Sequence, residues 1–99
     1  LIRIPAAEGS YKRIELRSPD PGANPYIAFS LLISAALDGI KRRIMPPEAA
    51  NINLFSAPEE VTKKFSRLPE TKEQAAKLAK DSAFIKSVLP EALIKAYLK

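Results

Sequence analysis

Polar and apolar residues alternate at the start of the chain and then change to helical spacing. Leu1-Ile2-Arg3-Ile4-Pro5 is a short strand-like run, and Gly9-Ser10 marks a turn after it. From Tyr11 to Arg17 the alternation is regular: Arg13, Glu15 and Arg17 share one face, and Ile14 and Leu16 the other. The runs 1–5 and 11–17 are predicted to pair as a hairpin, which would carry Arg3 toward the charged face of the second strand. An isolated two-stranded hairpin is marginal in water, so this one calls for cover from helices or further strands.

A rigid corner follows. Pro19 and Pro21 exclude a regular helix and push the residues before them toward extended conformations. Gly22 permits a tight bend. Asn24 is a good N-cap, and Pro25 suits the first helical position because its missing N–H would be unpaired anyway. A helix is predicted from Pro25 to about Ile44, roughly 30 Å long at 1.5 Å per residue. Between Tyr26 and Leu37 only Ser30 and Ser34 interrupt the apolar residues, a pattern that calls for burial on several sides. Phe29, Ile33, Leu37 (or Ala36), Ile40 and Ile44 follow the helical repeat. Asp38 and the basic run after it make the apolar stretch too short to cross a bilayer. Pro46-Pro47 stops the helix.

The remainder reads as short helices. Residues 48–55 form an extended connection. Ser56-Ala57-Pro58-Glu59 has the form of a capping box opening a helix through about Phe65. After Leu68-Pro69, Thr71 caps a helix to about Lys80, with Gln74 reaching back. Asp81 is the candidate cap of the next helix, which carries Phe84, Ile85 and Val88. Pro90 opens the last one, with Leu93, Ile94, Tyr97 and Leu98 as its apolar stripe. No internal repeat, low-complexity tract, signal peptide or lipidation motif is present.

Composition narrows the chemistry. Ninety-nine residues make at most one small domain with a modest core. The absence of cysteine excludes disulfides and thiolate chemistry, and the absence of histidine removes the commonest general base and the usual zinc ligands. The net charge of +5 suits nucleic acid or an anionic substrate, or is balanced by an acidic partner segment. Lys41, Arg42 and Arg43 lie in the last turns of the long helix, where cations complement its dipole. No aromatic interleaving marks a single-strand surface, and no helix-turn-helix spacing is evident.

Three residues carry candidate chemistry. Glu15, flanked by Arg13 and Arg17, should stay ionised, since nearby positive charge favours the carboxylate. A carboxylate on a strand can hold a hard cation such as Mg2+. It can equally be satisfied by its own arginines, as surface ion pairs commonly are. The Arg17 guanidinium can fork onto a carboxylate or a phosphate. Arg3 joins them through the hairpin.

The run Arg13-Ile14-Glu15-Leu16-Arg17-Ser18-Pro19-Asp20-Pro21-Gly22-Ala23-Asn24-Pro25-Tyr26 resembles a segment near the C-terminus of type I glutamine synthetases. The resemblance extends to Leu37-Asp38-Gly39-Ile40-Lys41 and to Ile2-Arg3-Ile4-Pro5 upstream. It is strong from Ile2 to Ile44 and looser from Ala50 onward. It implies an ATP-dependent ligase that joins ammonia to L-glutamate through γ-glutamyl phosphate, with Mg2+ (or Mn2+) as the metal and ATP as co-substrate. It also implies a cytoplasmic ring dodecamer that binds neither nucleic acid nor membrane. By the same resemblance Glu15 is a metal ligand, Arg3 binds ATP, and Arg17 is the catalytic residue that binds substrate glutamate and sits near the transferred phosphoryl group. Some relatives use a lysine of the intervening loop for ATP; the loop here is short and Lys12 is given no role. Some carry an adenylylated tyrosine where this chain has Asn53-Leu54-Phe55, and phenylalanine has no hydroxyl to modify.

The fold expected is α+β, mostly helical: a small N-terminal hairpin, a long buried helix and several short helices, residues 1–99 forming the C-terminal part of a glutamine synthetase catalytic domain. The opening on a strand-like run without an initiator Met reads as a start within a longer chain, and the family's remaining acidic and histidine ligands lie upstream of this segment. The 99 residues alone are therefore expected to be inactive. The alternatives are a related ligase using a polyamine or another amine, and a non-catalytic basic helical binding module.

Overall fold

The computed structural model describes residues 2–98. Its order is β1 (Ile2–Arg3), a single 3-10 turn (Gly9–Tyr11), β2 (Glu15–Leu16), then α1 (Pro25–Lys41), α2 (Glu59–Thr62), α3 (Lys72–Asp81), α4 (Ala83–Val88) and α5 (Glu91–Tyr97). The expected α+β architecture, dominated by helix, is present. β1 and β2 pair antiparallel with Ile2 opposite Leu16 and Arg3 opposite Glu15. This ladder is shorter than the predicted pairing of 1–5 with 11–17. Leu1 lies outside the described residues. Tyr11, expected in the second strand, belongs instead to the 3-10 turn, which Gly9 enters at φ 58°. Among the described residues the sheet has these two strands alone.

α1 starts as the sequence requires. The Asn24 Oδ1 accepts from the N–H groups of Tyr26 (3.0 Å) and Ile27 (3.3 Å), and Pro25 takes the first helical position. It ends a turn earlier than predicted, at Lys41 rather than Ile44. There the Ile44 N–H donates to the Gly39 carbonyl (3.0 Å) and the Arg43 N–H to the Ile40 carbonyl (3.1 Å), the two bonds of a Schellman motif. Arg43 holds the left-handed position of that motif at φ 52°, where glycine is usual.

Two other caps differ from expectation. Ser56 does not cap α2: both its N–H and its hydroxyl donate to the Asn53 carbonyl, at 3.2 and 3.4 Å. The Asn53 side chain accepts from the Phe55 N–H (3.0 Å), so a local turn captures Ser56, and the helix begins only after Pro58. It closes at Thr62, short of Phe65. Asp81 remains the last residue of α3. Ser82, in extended conformation, caps α4 by accepting from the Ile85 N–H at 3.2 Å. At α3 the prediction holds, since the Thr71 hydroxyl oxygen accepts from the Gln74 N–H (3.2 Å). Gln74 reaches back one residue further than Thr71, accepting from the Glu70 N–H at 3.0 Å. Glu73 lies in this first turn, and hydrogen bonds from its own N–H and the Thr71 hydroxyl hold its carboxyl below the ordinary value.

The helical layer is thin. α1 packs on α4, and α4 on α3. A cleft of about 100 Å3 lies among Ile27 and Leu31 of α1, Ile85 of α4, Leu89, and Leu93 and Ile94 of α5. Among the described residues no side chain is fully buried. The expectation of a buried long helix is therefore not met within this chain. Phe29 and Ile33, on the face turned from the cleft, remain 62% and 57% exposed among the described residues.

Candidate functional site

The hairpin register sets Arg3 opposite Glu15, and the β2 alternation leaves Arg13 and Arg17 on the same side as that carboxylate. Three guanidiniums converge on it. Arg3 donates to Glu15 Oε2 at 3.0 Å, Arg17 to the same oxygen at 3.3 Å, and Arg13 to Oε1 at 3.2 Å. Glu15 is the least exposed of the four, its side chain 27% accessible against 53–57% for the arginines. The hydrogen bond from Arg3 is the largest cause holding the Glu15 carboxyl below its ordinary value. Desolvation opposes it, and the Arg17 bond, the Arg3 charge and the Arg13 bond add to it.

The sequence thus foresaw which residues meet. Arg3, Glu15 and Arg17 are together, and Arg13, placed on the face but given no role, occupies the second carboxylate oxygen. Three positive groups around one negative leave an excess of positive charge on a half-exposed surface. Such a surface can take up a carboxylate or a phosphate, to which a guanidinium donates in bidentate fashion. Lys12 lines, with Ile4, Pro5, Arg13 and Ile14, an open hollow of about 440 Å3 along the hairpin.

The cluster by itself does not fit a divalent cation. Both Glu15 oxygens already accept from arginines, and among the described residues no three acidic, histidine or cysteine side chains come together.

The corner after β2 is held by its own polar groups. The Gly22 N–H donates to Asp20 Oδ1 (2.7 Å) and the Ala23 N–H to the Asp20 carbonyl (3.0 Å). A Cβ on Gly22 would stand 3.1 Å from that Asp20 oxygen, so the bend favours the smallest residue. One further contact was not legible in the sequence. The Asn24 N–H donates to the Tyr97 hydroxyl at 3.3 Å across 73 residues. The stripe of α5 identified Tyr97 as an apolar-facing residue, but nothing in the spacing names a partner for its hydroxyl. Phe55 is fully exposed in the turn at 54–56.

Fold and cluster together define a hairpin with an excess of positive charge, set ahead of a long capped helix on a thin helical layer. The family model for the glutamine synthetase catalytic domain matches residues 1–99, and the chain belongs to that family. It is 45% identical to a glutamine synthetase of Methanosarcina mazei over 99% of this chain and 22% of that protein. Similar matches are a glutamine synthetase of Azospirillum brasilense, 41% identical over 97% of this chain and 21% of the relative, and one of Escherichia coli, 42% over 98% and 22%. The chain spans about a fifth of the length of these relatives. No helix among the described residues is long and apolar enough to cross a membrane.

Proposed function

We propose that this chain forms part of the active site of an ATP-dependent ligase that joins ammonia to L-glutamate. The observation that carries the reading is the convergence of Arg3, Arg13 and Arg17 on Glu15 in a chain of the glutamine synthetase family. In the first step the glutamate side-chain carboxylate attacks the terminal phosphorus of ATP, giving γ-glutamyl phosphate and ADP. In the second, ammonia displaces inorganic phosphate and leaves the amide. Negative charge is carried by the transferring phosphoryl oxygens throughout, so the protein's task is to bind, orient and neutralise rather than to react covalently.

Arg17 takes the catalytic role, binding substrate glutamate and lying near the transferring group. Arg3 binds the ATP phosphates. Arg13 and Glu15 keep these guanidiniums at fixed spacing. A divalent ion, Mg2+ or Mn2+, would supply further charge neutralisation when bound. Glu15 is the one carboxylate of the cluster available to it; a guanidinium must then yield its hydrogen bond, and the other ligands must come from residues outside this chain. In this reading the 99 residues alone turn nothing over. The whole protein works in the cytoplasm as a ring of copies, twelve by the family pattern. Phe55 in place of a tyrosine leaves no hydroxyl for adenylylation at that turn.

The test uses the complete polypeptide that carries these residues, supplied with glutamate, ATP, Mg2+ and either ammonia or a panel of amines. Formation of glutamine and ADP with ammonia is the expected result. Product with a polyamine alone would replace the ammonia reading by that of a related ligase. Absence of ADP release with every amine would overturn the ligase reading and bring forward the basic binding module.

A further inference from the structure

We propose that Tyr97 is a positioning residue for Arg17, setting through its hydroxyl the corner that joins β2 to α1. The proposal rests on the ligase reading above, in which Arg17 binds glutamate and Arg3 binds ATP.

The ring of Tyr97 lines the apolar cleft with Ile27 and Leu31 of α1 and Leu93 and Ile94 of α5, and its hydroxyl accepts from the Asn24 N–H at 3.3 Å. This division, an apolar body in a cleft and a polar tip on a backbone group, is well suited to tyrosine. Asn24 is itself the N-cap of α1, its side chain already accepting from Tyr26 and Ile27. One residue therefore ties the start of α1 to the end of α5. Between Asn24 and Arg17 the chain has little freedom. Pro19 and Pro21 fix their φ angles, and the Asp20 carboxylate and carbonyl hold the N–H groups of Gly22 and Ala23. A displacement of Asn24 is thus passed along a stiff segment to Arg17. Arg3 stands on β1, outside the corner, and reaches the cluster only through the hairpin pairing and its bond to Glu15. Arg3 and Arg17 share Glu15 Oε2, but only Arg17 lies on the strand that leads into the corner, so Tyr97 acts most directly on Arg17.

The experiment compares the complete polypeptide with its Tyr97→Phe variant, which keeps the ring in the cleft and removes only the hydroxyl. A net hydrogen bond of this kind corresponds to about a twofold to tenfold effect, so KM for glutamate is expected to rise by that factor. KM for ATP and the melting temperature are expected to stay close to wild type. Amide hydrogen exchange provides a second readout: residues 19–24 should exchange faster in the variant, with the hairpin at 2–16 unchanged. A rise in both KM values together, a rise in neither, or unchanged exchange in the corner overturns the positioning role and leaves the ligase reading standing. A wild-type polypeptide that turns over no glutamate removes the ligase reading, and the positioning role with it.

Discussion

The hairpin and the helical layer are held together by different forces. In the hairpin, two residue pairs form the ladder and three arginines share one carboxylate; Ile4 and Ile14 remain largely exposed. Its order comes from charge and from the rigid corner that follows. In the helical layer, α1, α4 and α5 meet through Ile27, Leu31, Ile85, Leu89 and Leu93, while the ion pairs are ordinary i,i+4 pairs such as Arg42–Asp38 and Lys95–Glu91. Pairs of that type contribute only a few tenths of a kcal/mol. The comparison teaches that the part of this chain that carries the proposed site is the part with the least apolar support. Damage to the cluster should therefore appear in function, and damage to the cleft in stability.

The largest expected effect is on the function side. In the complete polypeptide Glu15→Ala leaves three guanidiniums without their shared anion, and turnover should fall by roughly 100-fold or more, the scale of losing a charge-stabilising group. The melting temperature should barely move; a fall in melting that matched the loss of turnover would break the contrast. Next comes Leu31→Ala in the cleft. This side chain is only half-buried, so the cost should be about 1–2 kcal/mol, below that of a fully buried leucine, and melting should fall by roughly 5–10 °C. Ile33→Ala on the outer face of α1 should cost less than about 0.5 kcal/mol in the 99-residue chain, and equal costs for the two would mean that α1 has no inner side.

Acid provides a subtler probe. The Glu15 carboxyl titrates lower in the folded chain than its ordinary value near 4.5. Its contribution is thus fully present above about 4.5 and is lost as pH falls through the depressed native value, because the unfolded chain takes up the proton first. Faster amide exchange in the hairpin below that point, absent from Glu15→Gln, is the expected signature. A gain in stability is expected of Arg43→Gly at the end of α1, where glycine accepts φ 52° without strain. The helix should gain about 0.5–1 kcal/mol by thermal melting, with the hairpin unaffected.

Much of this was legible in the sequence because the controlling signals are local. Strand alternation put Arg13, Glu15 and Arg17 on one face, and Asn24-Pro25 and Thr71 announced their helices. The failures are competitions between neighbouring signals. Ser56 and Glu59 have capping-box spacing, but Asn53 draws Ser56 into its own turn first. Asp81 and Ser82 are both competent caps by residue type, and Ser82 is the one whose extended backbone leaves α3 and opens α4. The burial expected of α1 is not met among the described residues, because its apolar pattern calls for cover on more sides than the thin layer of short helices supplies. The bond from Asn24 to Tyr97 joins positions too far apart for any spacing rule to connect.

The turn at Phe55 has a consequence of another kind. From Ile44 to Pro58 there is neither helix nor strand, and Phe55 stands fully exposed in the middle. Exposed loop tips of this sort are where proteases nick a folded chain. An enzyme that cuts after aromatic residues meets its most exposed site here, and cleavage leaves one peptide ending at Phe55 and another beginning at Ser56. The first would carry the arginine cluster and the second its tyrosine anchor. The contacts that span such a cut are the apolar cleft and the Asn24–Tyr97 bond, so cleavage at this turn would separate the corner from the residue that anchors it in covalent terms while leaving these contacts as the links between the two pieces.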